Sequence, residues 1–185
     1  MGRRYTQLTF TESVKRTQEH YGSRQVGARM EGMDWADTRL SQRESDFITA
    51  RDGFYMASVG EDGWPYVQFR GGPRGFLKII DEHTLGYADF RGNLQYISTG
   101  NLKKDNRVAL ILMDYPNRQR LKIMARASIF DVATRSDLAE KLTDANYQTV
   151  VERAVVFRVE AFDWNCPQHI VPRWTADEWD SLERK

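Results

Sequence analysis

Three short stretches of the chain gather residue types able to do chemistry. The first, Trp164-Asn165-Cys166-Pro167-Gln168-His169, places an aromatic ring, a thiol and an imidazole within six residues. Cys166 and His169 suit a nucleophile with its base, or two ligands of a metal ion. The chain has only one cysteine and three histidines, and His20 and His83 stand in polar, surface-like contexts, so neither a triad nor a zinc set can be completed. Packing or ligand contact is the simpler reading, because Pro167 works against the continuous helix that would help activate the thiol. The second stretch, Asp89-Phe90-Arg91-Gly92-Asn93, stands where a strand is expected to meet a helix. Unpaired N–H groups and the helix dipole favour an anion at such a junction, and Arg91 and Asn93 would add donors to a phosphate. The same residues also fit an ordinary cap formed by Asn93, with Arg91 in solvent. The third, Arg70-Gly71-Gly72-Pro73-Arg74-Gly75, has the glycines of a dinucleotide loop, but five residues of strand character follow it before the next turn, where that loop requires a helix. It reads either as a glycine-rich turn or as a place where a planar ligand approaches the strand backbone beside Arg70. The carboxylates are scattered, with no pair set apart from surface charge.

Short, closely spaced strands must position these stretches. Phe54 to Val59, Trp64 to Arg70, Phe76 to Ile80 and Thr84 to Asp89 are extended runs separated by turn residues, which leaves no room for crossover helices and predicts antiparallel pairing closed into a small barrel. Asn93 to Lys104 is expected to be a short helix. Val108 to Met113 is apolar at every position, the pattern of a central strand covered on both faces, whereas Leu121 to Phe130 alternates with one face inward. A last strand is expected from Ala154 to Phe162. Ahead of the barrel, helices are expected at 11–21 and, behind the capping box Ser41-Gln42-Arg43-Glu44, at 41–51, with a loop between them. Ser136 to Leu142 reads as a surface helix, and Thr175-Ala176-Asp177-Glu178 starts a C-terminal one.

Composition narrows the function classes. The 185 residues fit one domain with terminal arms, and 41% hydrophobic with 12% aromatic residues suffices for a folded core. With 27 basic against 26 acidic side chains the chain lacks the electrostatic footprint of a protein that binds long nucleic acid. No apolar run approaches the ~18 residues of a membrane span. A lone cysteine and a polar start point to a cytoplasmic protein.

The runs Phe54 to Val59, Gly63-Trp64-Pro65-Tyr66, Arg70-Gly71-Gly72-Pro73, Asp89 to Asn93 and Asn106-Arg107-Val108 together resemble the FMN-binding split-barrel proteins related to pyridoxamine phosphate oxidase. The likeness is strongest to a subgroup with a long N-terminal arm and a WNCPQH ending, and extends from Thr6 to Arg173. It implies a mainly β fold with flanking helices, a six-stranded antiparallel split β-barrel at 53–163 between a helical arm at 1–52 and a cleft-capping segment and helix at 164–185. It further implies a homodimer with FMN in clefts shared between subunits.

Carried over by position, the resemblance implies that Val67, Gln68, Phe69, Arg70 and Gly71 edge the isoalloxazine ring, with Arg70 near the phosphate or the dimer seam. Asp89, Phe90, Arg91, Gly92 and Asn93 would form the phosphate cradle, extended by Gln95, Ser98 and Asn101, and Arg120 would face the flavin. Trp164, Asn165 and His169 would close the cleft from the second subunit. The serine-arginine-lysine phosphate cluster of the oxidase is not reproduced, and its C-terminal arginine and histidine, two residues apart, are replaced by Pro167-Gln168-His169 and Pro172-Arg173-Trp174, so oxidation of vitamin B6 is not inherited. The expectation is a flavin-dependent oxidoreductase using N5 of FMN on a small substrate. Alternatives are a non-catalytic FMN carrier or redox sensor, and an F420-dependent reductase of the same fold.

Overall fold

The computed structural model describes residues 2–183. Seven strands form one antiparallel sheet: β1 (Gly53–Val59), β2 (Pro65–Gly71), β3 (Lys78–Asp81), β4 (Thr84–Phe90), β5 (Arg107–Asp114), β6 (Gln119–Asp131) and β7 (Val151–Trp164), in the order β2-β1-β5-β6-β7-β4-β3. The resemblance implies six strands, whereas the sheet has the seven that the extended runs of the sequence predict, the run expected at Phe76 to Ile80 forming the short edge strand β3 paired with β4. The sheet is open, with β2 and β3 at its two ends. It nevertheless curls: Phe54 of β1 and Tyr87 of β4 stand four strands apart in the sheet, ~19 Å if it were flat, yet their ring centroids are 5.6 Å apart.

Alternation sets the two faces. Leu121, Ile123, Ala125 and Ala127 of β6 point inward with Val155, Phe157 and Val159 of β7, and meet Phe54, Met56, Leu110 and Leu112 in one core. Strand β5 departs from expectation. Val108, Leu110 and Leu112 are buried, but Ala109, Ile111 and Met113 on its outer face are only half-covered, and the middle position of the sheet belongs to β6.

Helices plug the open sides. The Ser41 capping box forms as expected, the Ser41 N–H and hydroxyl both donating to Glu44, and starts α4 (Gln42–Thr49), which drives Phe47 and Ile48 into the core. The box at Thr175 also forms, starting α7 (Ala176–Glu183), and α6 (Ser136–Leu142) lies where expected. The arm differs from the sequence reading. Besides α2 (Glu12–His20) it contains α1 (Arg4–Thr9) and α3 (Arg24–Gly32), the latter where a loop is expected. Two glycines and the absence of a period conceal α3. It is held by an Arg24–Glu31 ion pair and by packing on α2, where Gly27 lets Gln18 approach to a point 2.5 Å from where a Cβ would stand. Helix α1 is tied to the sheet by Arg3, which is buried and paired with Asp37 and Asp163, while Asp37 accepts the Arg4 and Tyr5 N–H groups.

Candidate functional site

On β2 the inward positions are polar. Tyr66, Gln68 and Arg70 pair across the strand with Ser58, Met56 and Phe54 of β1, so they face the core side but cannot seal it. A cavity of about 200 Å³ remains between them, the end of β4 and the segment leading into α5 (Ile97–Lys104).

The floor of that cavity is a buried charge cluster spanning the split in the sheet. Arg70 Nη1 donates to Asp89 Oδ1 at 3.0 Å, joining the first strand of the sheet to the sixth. Arg153 of β7, the cross-strand partner of Asp89, donates to Oδ2 from Nε at 2.9 Å and from Nη2 at 2.8 Å. Burial opposes the charge on Arg153, but its bonds to Asp89 and Glu152 outweigh this and raise its pKa. Counting Glu152, which Arg153 also meets at 2.9 Å, and Arg91 at the rim, three guanidiniums face two carboxylates, leaving the site with an excess positive charge, and Arg70 Nε is buried with no hydrogen-bond partner among the described residues. At the rim, Arg91 pairs with Glu152 at 2.9 Å and holds that carboxyl below the usual range.

The wall is the start of α5. The helix begins at Ile97, so Asn93 is not its cap; the position before it is Tyr96, with φ 52° and no side-chain cap. Leu94 also has positive φ, at 62°, an unfavourable conformation for such a side chain. The bend is braced by the Arg91 N–H donating to the Val150 carbonyl and by Arg153 lying 4.9 Å over the Tyr96 ring. The first N–H groups of α5 have no intrahelical acceptor, and the residues that carry them, Ile97, Ser98 and Thr99, line the cavity. The Ser98 hydroxyl donates to Gln68 Oε1 at 2.8 Å, fixing β2 to the helix. Beside the cavity, β2 is an edge strand, so half of its backbone groups have no strand partner. A positive floor, free helix N–H groups and a free strand edge together suit a phosphate monoester attached to a planar heterocycle with amide-like edges.

A far larger cleft, about 1520 Å³, lies beyond Tyr96, Thr99 and Arg153. It is open, and three of its cations are already matched in solvent-accessible pairs, Lys104 with Glu61, Arg107 with Asp105 and Arg126 with Glu160. Size alone does not make it the better site.

Of the residues named from sequence, Gln68, Arg70, Phe90, Gly92, Asn93, Gln95 and Ser98 line the small cavity, and Asp89 lies in its floor. Arg91 turns outward to Glu152, and Asn101 instead donates to Ser58 Oγ at 3.1 Å. Val67 and Phe69 are exposed on the outer face of β2, where Phe69 lies across Gly53 and Gly71; a Cβ on either glycine would stand within 3 Å of its ring. Arg120 and Asn165 are neighbours where β6 begins and β7 ends, the Asn165 N–H donating to the Arg120 carbonyl, and Arg120 Nε is buried without a hydrogen-bond partner among the described residues. Trp164 is bound within its own chain: Nε1 donates to Glu44 Oε1 at 2.7 Å, Phe47 meets its edge and Arg43 stacks at 4.3 Å. Cys166 is exposed, not packed as the simpler reading of its stretch has it, and His169 is exposed with φ 63°. Tyr66, Leu94, Tyr96, Ile97, Thr99 and Arg153 line the cavity without having been singled out. Arg153 had a signal: it continues the inward series of Val155, Phe157 and Val159, where a charge needs a buried partner.

Among the described residues, no group of three or more His, Cys, Asp or Glu side chains is placed to hold a metal ion, and no helix is long and apolar enough to cross a membrane. No curated protein sequence matches the chain. Several solved structures share its fold. HupZ of Group A Streptococcus superposes with a TM-score of 0.55 at 16% identity over 73% of this chain and 99% of that one. A protein described as an F420 reductase gives 0.51 at 18% over 67% and 98%, and an FMN-binding protein of Syntrophomonas wolfei subsp. wolfei 0.50 at 14% over 84% and 96%. The family model for pyridoxamine 5'-phosphate oxidase matches residues 40–165, which contain every strand and the whole small cavity. The chain belongs to the pyridoxamine 5'-phosphate oxidase family.

Proposed function

We propose that the protein is a cytoplasmic FMN-dependent oxidoreductase whose cofactor phosphate enters the small cavity. The observation that carries this reading is the buried Arg70–Asp89–Arg153 cluster, which with adjoining Glu152 and Arg91 sets three guanidiniums against two carboxylates, and whose Arg70 Nε has no hydrogen-bond partner among the described residues. A dianionic phosphate supplies the missing negative charge, and the first N–H groups of α5 add donors. The free edge of β2 offers backbone groups from Val67 to Gly71 to the pyrimidine side of the ring. When bound, FMN supplies hydride transfer at N5. The residues of this chain bind and orient it: Arg70 and Arg153 fix the phosphate, while Gln68, held by Ser98, keeps the strand in place. A cavity walled by Tyr96 and Arg153 suits a terminal monoester, which favours FMN over the longer tail of F420. F420 remains the second reading because a structural neighbour carries that description.

The working form is proposed to be a homodimer. An antiparallel strand with one face in water alternates in polarity, and β5 does not. Its half-covered Ala109, Ile111 and Met113 continue onto exposed Tyr55, Val59, Val67 and Phe69, an apolar face that a second copy would cover. In that dimer Arg120, Asn165 and His169 of each chain reach toward the neighbouring copy's cofactor. Trp164, bound to Glu44, supports them from behind.

The visible spectrum of the purified protein tests the reading. Stoichiometric flavin, bleached by NADPH or NADH and restored by a quinone, is expected. Bound flavin that no pyridine nucleotide reduces would favour a carrier or sensor, and a protein that takes up F420 but not FMN would replace the cofactor assignment.

A further inference from the structure

Where β2 ends and the chain turns through Gly72 to Gly75, a second cavity of about 150 Å³ lies between the segment after α4, the β5–β6 turn and the strap leading into α7. Its walls include Arg51, Asp52, Arg74, Tyr115, Arg173 and Trp174, and it borders an open groove that shares Arg74 and Trp174. The three guanidiniums are not equivalent. Arg51 is committed to the buried Asp114 carboxylate at 3.0 Å and to the Met113 carbonyl. Arg74 meets Glu178 only at 3.4 Å in an exposed pair that solvent screens. Arg173 stacks 5.2 Å over the Tyr115 ring and has no carboxylate partner among the described residues.

The aromatic groups are also placed for a ligand. Burial, and then its hydrogen bond with Tyr55, push the Tyr115 phenol up in pKa, so it remains a neutral hydroxyl. Trp174 is 43% exposed and is steadied edge-on by Trp179 at 5.9 Å. A cavity of this size is large enough for one six-membered ring.

We propose that this cavity is a binding site for a small planar aromatic carboxylate, its ring against Tyr115 and Trp174 and its charge on Arg173 and Arg74. Arg74 follows Arg70 by four residues, so the two cavities are at most ~14 Å of chain apart along one strand and its turn. Any use of this site as the acceptor pocket of the enzyme rests on the flavin reading. Binding itself does not.

The test is saturation-transfer NMR on the full-length protein as purified, with sodium benzoate as probe, and with acetate (charge without ring) and phenol (ring without charge) as controls. Saturable benzoate binding is expected, with both controls weaker by about tenfold or more. Arg173→Gln is expected to weaken benzoate about fivefold or more, while the melting temperature and flavin content stay unchanged, because Arg173 is exposed. Arg126→Gln, a distant exposed arginine, serves as control and is expected to leave benzoate binding unaltered. Non-saturable transfer, equal benzoate binding in Arg173→Gln, or an equal loss in Arg126→Gln would each overturn the proposal. Benzoate binding that needs Arg173 in a protein that takes no flavin would keep this site and remove the cofactor reading; flavin binding without it would do the reverse.

Discussion

Replacing Asp89 by Asn changes the charge of the cavity floor with almost no change in volume. In the native protein the carboxylate is 2% exposed and accepts from Arg70 at 3.0 Å and from Arg153 at 2.9 and 2.8 Å. The amide can still accept from one guanidinium, but its NH2 group must then face the other. Deleting one member of a buried ion pair costs about 3–5 kcal/mol. Two features place this case near the lower end: the arginine side chains keep 18% and 13% exposure, and Arg153 retains Glu152 at 2.9 Å. A loss of about 3 kcal/mol lowers the melting temperature by ~6–12 °C for a chain of this length. Urea unfolding and thermal melts measure it. Inorganic phosphate should restore more stability to Asp89→Asn than to the native protein, since the variant leaves Arg70 without a counter-ion while Arg153 keeps only Glu152. A loss below about 1 kcal/mol would refute the view of Asp89 as the counter-ion on which the floor depends.

Trp164→Ala is expected to cost about 2–4 kcal/mol by denaturant unfolding, less than a fully buried indole, because half-buried Trp164 gives up its edge contact with Phe47 and takes the donor from Glu44 Oε1. Burial opposes ionisation of Glu44, but hydrogen bonds from Ser41 and Trp164 outweigh it and lower its pKa. The stability it contributes is therefore full above the ordinary glutamate range and lost as pH falls through the depressed value, so Glu44→Gln should flatten the acid limb of stability against pH. If the limb is unchanged, the Glu44 assignment is wrong. Cys166→Ser should leave melting temperature, flavin content and flavin reduction unaltered, since the thiol is exposed; loss of reduction with flavin still bound would make it a catalytic group. Ile111→Lys, on the outer face of β5, should shift sedimentation from dimer to monomer while the fold survives. A native protein that already sediments as a monomer would remove the dimer.

Local physics made most of the scaffold legible. The capping boxes at Ser41 and Thr175 start helices because each ties two donors within one turn, and alternation in β6 assigns its faces without help from partners. Residues 24–32 resisted because Gly27 and Gly32 weaken helix propensity and the helix is fixed instead by its packing on α2 and the Arg24–Glu31 pair. The site was half legible. Gln68, Arg70 and Asp89 to Gln95 lie in two continuous runs, whereas Arg153 reaches Asp89 only through the β4–β7 register, 64 residues on. Trp164 carried no mark that Glu44, 120 residues away, would claim its N–H. Such pairings are fixed by topology, and only the inward parity of Arg153 hinted at one of them.

Flavin titration of the cofactor-free protein and its Arg153→Gln variant, with FMN and riboflavin in parallel, tests the central claim most directly. Charged hydrogen bonds from Arg70 and Arg153 to the phosphate should make FMN bind roughly 10–150-fold more tightly than riboflavin in the native protein. In Arg153→Gln most of that margin should vanish while riboflavin affinity holds. Equal affinities for the two flavins in the native protein, or an equal loss of both in the variant, would contradict a phosphate seated on the Arg70–Asp89–Arg153 floor.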